Sequence, residues 1–155
     1  MRVITAIDKV EVAGEFSVFL AGSVQSADVT EKWRTRVIKK LSDEKVTLID
    51  PVWVHNGANL DYNDTRDTTK INKQVGWELD ALERVDMVIM YLDEASKSPI
   101  SLLELGLYAQ SGKLVVCCAD GFWRKGNVDV VCERYGVAQV ADLDELVSVV
   151  KKKLK

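Results

Sequence analysis

Four short apolar runs punctuate the chain: SVFLAG (17–22), VTLID (46–50), DMVIMYLD (86–93) and KLVVCC (113–118). None alternates between apolar and polar residues, and all are rich in Val, Ile, Leu or Met, the pattern of strands buried on both faces. Segments of helical period lie between and after them. DVTEKWRTRVIKKL follows the first run, INKQVGWELDALERV leads into the third, SPISLLELGLYAQSGK joins the third to the fourth, and DLDELVSVVKKKLK closes the chain. In the closing helix Asp142 and Glu145 stand at N-cap and N3 spacing and the lysines gather at the C-terminal end, where the helix dipole favours them. Strands alternating with helices predict a parallel sheet with helices on both faces. The opening MRVITAIDKVEVAGE is expected to add a hairpin or an edge strand. The polar stretch DPVWVHNGANLDYNDTRDTT (50–69) has no apolar period, and a loop of that length in a compact domain is expected to be a lid or a binding loop.

One helix carries an anomaly. Ser98 is placed to N-cap it, Pro99 suits its first position, and Gly112 marks its end. Ile100, Leu103 and Leu107 form one apolar stripe, and Leu102, Leu105 and Ala109 form a second, so the pattern predicts a buried helix. Ser101, Glu104 and Tyr108 are set along one narrow polar line. A buried carboxylate is costly, so Glu104 must have a partner, an altered pKa or a cleft beside it. The plain alternative is an S-x-x-E capping box formed by Ser101 and Glu104. Pro99 argues against it, because a helix that starts there carries Glu104 past the first turn.

Composition narrows the class. A chain of 155 residues with 47% hydrophobic and 29% charged residues is expected to be one soluble globular domain (1–155). The formal net charge of −3, with both signs scattered, leaves no basic footprint for nucleic acid. No apolar run is long enough to span a bilayer, and charges interrupt MRVITAIDKVEV too early for a signal peptide. Cys117, Cys118 and Cys132 lack metal-ligand spacing. The adjacent pair falls in a strand pattern, so its members point to opposite faces as reduced, buried side chains, and the chain is read as cytoplasmic. His55 is the only histidine, which argues against a His-based metal site and a Ser-His-Asp triad.

In open parallel sheets, ligands bind beyond the carboxyl ends of the strands, where strand order reverses. Those ends carry AGSVQSAD, DEASKSP and ADGFWRKGN. Gly22 and Ser23 offer close backbone approach, a hydroxyl and an N–H, or else form only a tight strand-to-helix turn. Neither a G-x-G-x-x-G fingerprint nor a Walker A sequence is present. Glu78, Asp93 and Glu104 converge on this face. Carboxylates without histidine or metal suit chemistry at an anomeric carbon, one acting as nucleophile and a second group handling the leaving-group proton. For Glu78 the alternative is an exposed helix charge. Trp53 and Trp123 flank the site loops as stacking candidates, whereas Trp77, at a helical position, is read as core.

FLAGSV after a first strand, WELDALERVDMVIMYLD leading into SPISLLELGLYAQSGKLVVCC, and GFWRKGNVDVVCERYGV resemble the nucleoside 2-deoxyribosyltransferase family and its close relatives. The resemblance runs over 18–137, and the E-L-G of Glu104 to Gly106 within S-x-x-E-L-G is its most specific piece. It implies that Glu104 is the nucleophile that forms a covalent 2-deoxyribosyl adduct through the anomeric carbon. The family's acid, eight residues before the aspartate that opens the third strand run (here Asp86), falls on Glu78, where Asp is usual. It contacts or protonates the nucleobase. An acid in the next loop contacts sugar hydroxyls, for which Asp93 or Glu94 could serve, and Gly22 and Ser23 match the loop that cradles the sugar. Ser101, from the same motif as Glu104, joins the substrate-binding set. Relatives that hydrolyse deoxynucleoside 5′-monophosphates carry arginine in that first loop; GSVQSAD has none, which points to nucleosides.

In the family a neighbouring subunit's C-terminal region completes the pocket with an amide side chain, and Asn127 lies in the corresponding region. A homo-oligomer is therefore expected, the loop-rich GFWRKGNVDVVCERYGV carrying Phe122, Trp123 and Tyr135 as aromatic surface to be covered; burial against the chain's own last helix is the alternative. The reading is a flavodoxin-like (Rossmann-like) doubly wound α/β domain that transfers 2-deoxyribosyl groups between nucleobases. Its partners are deoxynucleosides and free bases, and no cofactor or metal is implied. Hydrolysis of deoxynucleoside monophosphates and a non-catalytic nucleotide-binding module are the alternatives.

Overall fold

The four apolar runs are four adjacent strands of one parallel sheet in the computed structural model, which describes residues 1–6, 10–12, 14–25, 31–52 and 68–155. They are β2 (Phe16–Gly22), β3 (Val46–Asp50), β4 (Met87–Leu92) and β5 (Leu114–Cys118), flanked by β1 (Arg2–Thr5) and β6 (Ala138–Val140) in the order β1-β3-β2-β4-β5-β6. Nearly every residue of the inner four is buried, as unalternating apolar strands require. The opening segment supplies the edge strand of the two expected forms, with β1 running parallel to β3.

Among the described residues, five helices cover the two faces. α1 (Trp33–Lys40) and α5 (Leu143–Lys153) lie on one, where Trp33, Val37, Leu146 and Val150 pack on Val18, Leu20, Leu48 and Ile89. α2 (Thr68–Arg84), α3 (Pro99–Tyr108) and α4 (Lys125–Tyr135) lie on the other, where Leu82, Leu105, Val128 and Cys132 cover Phe19, Ile49, Met90 and Val116. Cys117 belongs to the first core and Cys118 to the second, as strand alternation dictates, and both are free thiols, as is Cys132. Without β1 the strand order is that of a flavodoxin-like doubly wound fold. No helix among the described residues is long and apolar enough to cross a membrane.

Three expectations change. The segment 119–137, read as loop-rich, holds α4, whose only fully buried residues are Val128 and Cys132. Phe122 is buried in the chain's own core, while Trp123 and Tyr135 remain about half exposed. α3 is not buried all round: Leu105 and Ala109 face the core, but Ile100, Leu103 and Leu107 are 58–61% exposed. One face of α3 rests on the sheet, and α2 and α4 leave its outer face uncovered. In the helix after β2, residues 28–30 lie outside the described residues and α1 begins at Trp33. The expected binding loop lies outside them over 53–67, which includes Trp53 and His55.

The chain leaves β2 toward β3 on one side, then crosses back to β4 on the other. That reversal opens a crevice at the carboxyl ends of β2 and β4, the usual ligand position in such sheets. The amino ends are clamped: Asp86 accepts bonds from Ser17 N–H (2.8 Å) and Ser17 Oγ (2.7 Å), tying β2 to β4.

Candidate active site

Gly22 ends β2 at φ +120°, opposite Tyr91 of β4. A Cβ there would stand 2.1 Å from the Tyr91 carbonyl oxygen, so the close approach that demands glycine is to the neighbouring strand. Ser23 follows, fully buried, and its N–H donates to Tyr91 O (2.8 Å). Its Oγ accepts from the Asp93 N–H (2.8 Å) and shares a 2.6 Å hydrogen bond with Ser98 Oγ. The hydroxyl and N–H that the sequence offered to a ligand are thus both engaged inside the protein, knotting the ends of β2 and β4 to the start of α3. Ser98 occupies the N-cap position in the left-handed region (φ 46°), and its hydroxyl bonds Ser23 and Ser96 rather than capping the helix. Asp93 is held at the rim, accepting from Gln25 Nε2 (2.6 Å) and the Ala95 N–H (2.9 Å).

Above this knot α3 presents Ser101 and Glu104, both buried. Burial, then the nearby Glu78 carboxylate, pushes the Glu104 carboxyl up to about 7, against the pull of the Arg34 cation. Glu78 is half-buried on α2 and is not the exposed helix charge of the alternative reading. Burial raises its pKa too, opposed by a 2.6 Å hydrogen bond from Gln74 Nε2 and by Arg34. Gln74 is itself buried and also reaches Pro51 O (3.2 Å). Trp77 packs against the core, as expected of its helical position. A carboxyl raised by burial and by a neighbouring carboxylate suits a site in which one of the two is ionised while the other carries a proton.

Trp123 and Asn127 lie elsewhere. They line a groove of about 310 Å³ between α3 and α4, with Leu102, Leu105, Gly106 and Val131, on the side of α3 away from Glu78. The Trp123 indole N–H donates to Lys97 O (2.8 Å), and the Arg124 guanidinium stacks 4.4 Å from the ring. Within one chain neither joins the carboxyl pair. Trp53, the other stacking candidate, lies outside the described residues.

A sequence profile described as nucleoside 2-deoxyribosyltransferase like matches residues 15–122, well over half of the chain. The chain belongs to that family. The matched span contains the β2 turn, Glu78, Asp93 and the α3 glutamate, and the family is typically enzymatic. No curated protein matches the sequence significantly. Among solved structures, a short-chain flavodoxin associated with a non-canonical PDU bacterial microcompartment aligns with a TM-score of 0.44 at 12% identity, over 90% of this chain and 99% of its own.

Arg34 escaped the sequence reading. It sits among Trp33 and Val37 on the buried face of α1, where the helical period calls for an apolar residue, and that misplaced charge is the signal that could have found it. Its guanidinium donates to the carbonyls of Ser23 (2.7 Å), Gly22 (3.0 Å) and Leu20 (3.2 Å), and its Nε lies 3.3 Å from the Asp50 carboxylate.

Proposed function

We propose that this protein transfers the 2-deoxyribosyl group of a nucleoside from one nucleobase to another. In the form of the pair with Glu104 ionised and the proton on Glu78, the Glu104 oxygen attacks the anomeric carbon and the N-glycosidic bond breaks. Its electron pair leaves with the base, which takes a proton from Glu78. The incoming base then attacks the same carbon, frees the Glu104 carboxylate and returns a proton to Glu78. Two displacements at one carbon retain its configuration. The observation that carries this reading is the buried Glu104 beside Glu78 at the crevice between β2 and β4, because a pure binding module has no use for a buried carboxyl raised both by burial and by a second carboxylate. Three buried free thiols suit a cytoplasmic enzyme of nucleoside salvage.

A nucleoside fits better than a 5′-monophosphate. The described part of the first loop, Ser23 to Gln25, offers no cation, and the adjacent Arg34 already serves three carbonyls and Asp50. A 2′-hydroxyl would also destabilise the oxocarbenium-like transition state, so deoxyribose is favoured over ribose. The test compares deoxyinosine, inosine and deoxyguanosine monophosphate, each with and without free acceptor base. Base exchange fastest with deoxyinosine is the expected result. Faster release of free base from the monophosphate, with no exchange, would identify a hydrolase instead, and no turnover of any of the three would leave a binding module.

A further inference from the structure

We propose that Arg34 is a positioning residue that locks the β2 turn beneath the crevice and supplies the fixed positive charge of the site that Glu78 and Glu104 share. The inference rests on the reading of those glutamates as the reacting pair.

The geometry is that of a built element. Arg34 is 7% exposed, and its guanidinium contacts the ring of Trp33, 4.4 Å from the ring centroid. One planar fork gathers the carbonyls of Leu20 and Gly22 in β2 and of Ser23 just after it, with the Asp50 carboxylate at the end of β3. Those carbonyls converge where Gly22 turns the chain out of the sheet, a bend whose backbone acceptors need donors, and the Ser23 carbonyl takes a second one from the Trp33 indole N–H (2.8 Å). A lysine, with its single compact ammonium, cannot reproduce the fork. The charge also has an electrostatic consequence. Around Glu104, among the described residues, the titratable and charged groups are Glu78 on α2, Tyr108 one turn along α3, and Arg34 on α1 with its partner Asp50. Among the described residues, Arg34 is the cation that opposes the upward push on both Glu78 and Glu104, and on Asp50 as well. Without it, a buried pair of carboxyls would hold its protons more tightly, leaving less of the ionised nucleophile at neutral pH.

A merely structural arginine and one that tunes the pair predict different titrations. The Glu104 carboxyl is followed by ¹³C NMR, assigned by its loss in Glu104→Gln, alongside the pH profile of kcat/KM. Removing the positive charge in Arg34→Gln should move the Glu104 midpoint and both limbs of the profile to higher pH, by on the order of one unit. Removing the compensating carboxylate in Asp50→Asn should move them to lower pH. Arg34→Lys should leave the midpoint near that of the parent chain while kcat falls roughly 10- to 100-fold through loss of the fork. Midpoints unmoved in both Arg34→Gln and Asp50→Asn would reduce Arg34 to a backbone clamp and overturn the proposal. Should Arg34→Gln not fold, Asp50→Asn decides: a downward shift supports the proposal, and an unmoved or raised midpoint overturns it. Failure of the catalytic reading is distinguishable, because a chain that turns over no deoxynucleoside still yields the carboxyl titration.

Discussion

At the scale of single residues, the candidate site holds one buried carboxyl whose protonation the fold controls. Glu104 titrates at about 7 in the folded chain against an ordinary value of 4.5, with burial as the largest cause. The native state therefore binds that proton more tightly than the unfolded chain does. Its contribution to stability is most favourable near and below pH 4.5, declines as pH rises to about 7, and is level beyond. The difference across that window is at most about 3 kcal/mol. Glu104→Gln should accordingly abolish base exchange yet be more stable than the parent chain at pH 8, by up to that amount, with the advantage shrinking toward pH 5. Urea unfolding at pH 5, 6, 7 and 8, paired with an exchange assay, checks both halves. A variant with near-native turnover removes Glu104 as nucleophile. One that is less stable than the parent at pH 8 contradicts the account of its burial.

Single elements decide where that carboxyl stands, and two glycines, Gly22 and Gly106, do different work. At Gly22, an added Cβ meets the Tyr91 carbonyl at 2.1 Å from a backbone at φ +120°. Gly22→Ala should therefore cost on the order of 3 kcal/mol and disorganise the knot of Ser23, Asp93 and Ser98. At Gly106, inside α3, nothing among the described residues lies within 4 Å of an added Cβ. Gly106→Ala should raise stability by about 0.4–1 kcal/mol, the usual gain of alanine over glycine in a compatible conformation. Thermal unfolding of the two variants should move in opposite directions, and a stabilised Gly22→Ala would refute the strand contact as the reason for that glycine. The elements were legible in the sequence where one physical rule dominates: β2 to β5 are buried on both faces, and α5 carries its cap and its lysines openly. α4 was not legible, because KGNVDVVCERY buries only Val128 and Cys132, too little for a periodic stripe. β6, three partly exposed residues, gives no apolar run at all. Of the site, Glu104 and Glu78 could be read because a carboxylate in an apolar or family-specific context is conspicuous. The inward use of Ser23 and the partners that the Arg34 fork takes could not, since both depend on which strand ends the topology brings together.

For the whole molecule, the helical layer of α2, α3 and α4 is the unfinished surface. Ile71, Val75 and Leu79 recur every four residues along α2 and are 36–46% exposed, beside the more exposed Ile100, Leu103 and Leu107 of α3. The only charged side chain in α3 is Glu104, which is buried, so its outer face meets solvent with no charge. An apolar helix face of that kind marks an interaction site. A second copy of the chain suits it, because a two-fold contact sets a patch on itself and needs no charge complement. The groove that holds Trp123 and Asn127 opens beside the same face, on the far side of α3 from the carboxyl pair. Within their own chain those residues line a separate groove, and in a homo-oligomer joined there they are expected to serve the neighbour's crevice. The expected outcome is an oligomer whose activity falls on dilution in step with dissociation. Leu103→Lys with Leu107→Lys should yield a folded monomer of much lower turnover, checked by sedimentation and circular dichroism. Mixing inactive Glu104→Gln subunits with inactive Asn127→Ala subunits should restore activity in the hybrid, because one crevice then has both a native nucleophile and a native amide. A fully active monomer at low micromolar concentration would sink the shared site, as would an Asn127→Ala variant with undiminished turnover.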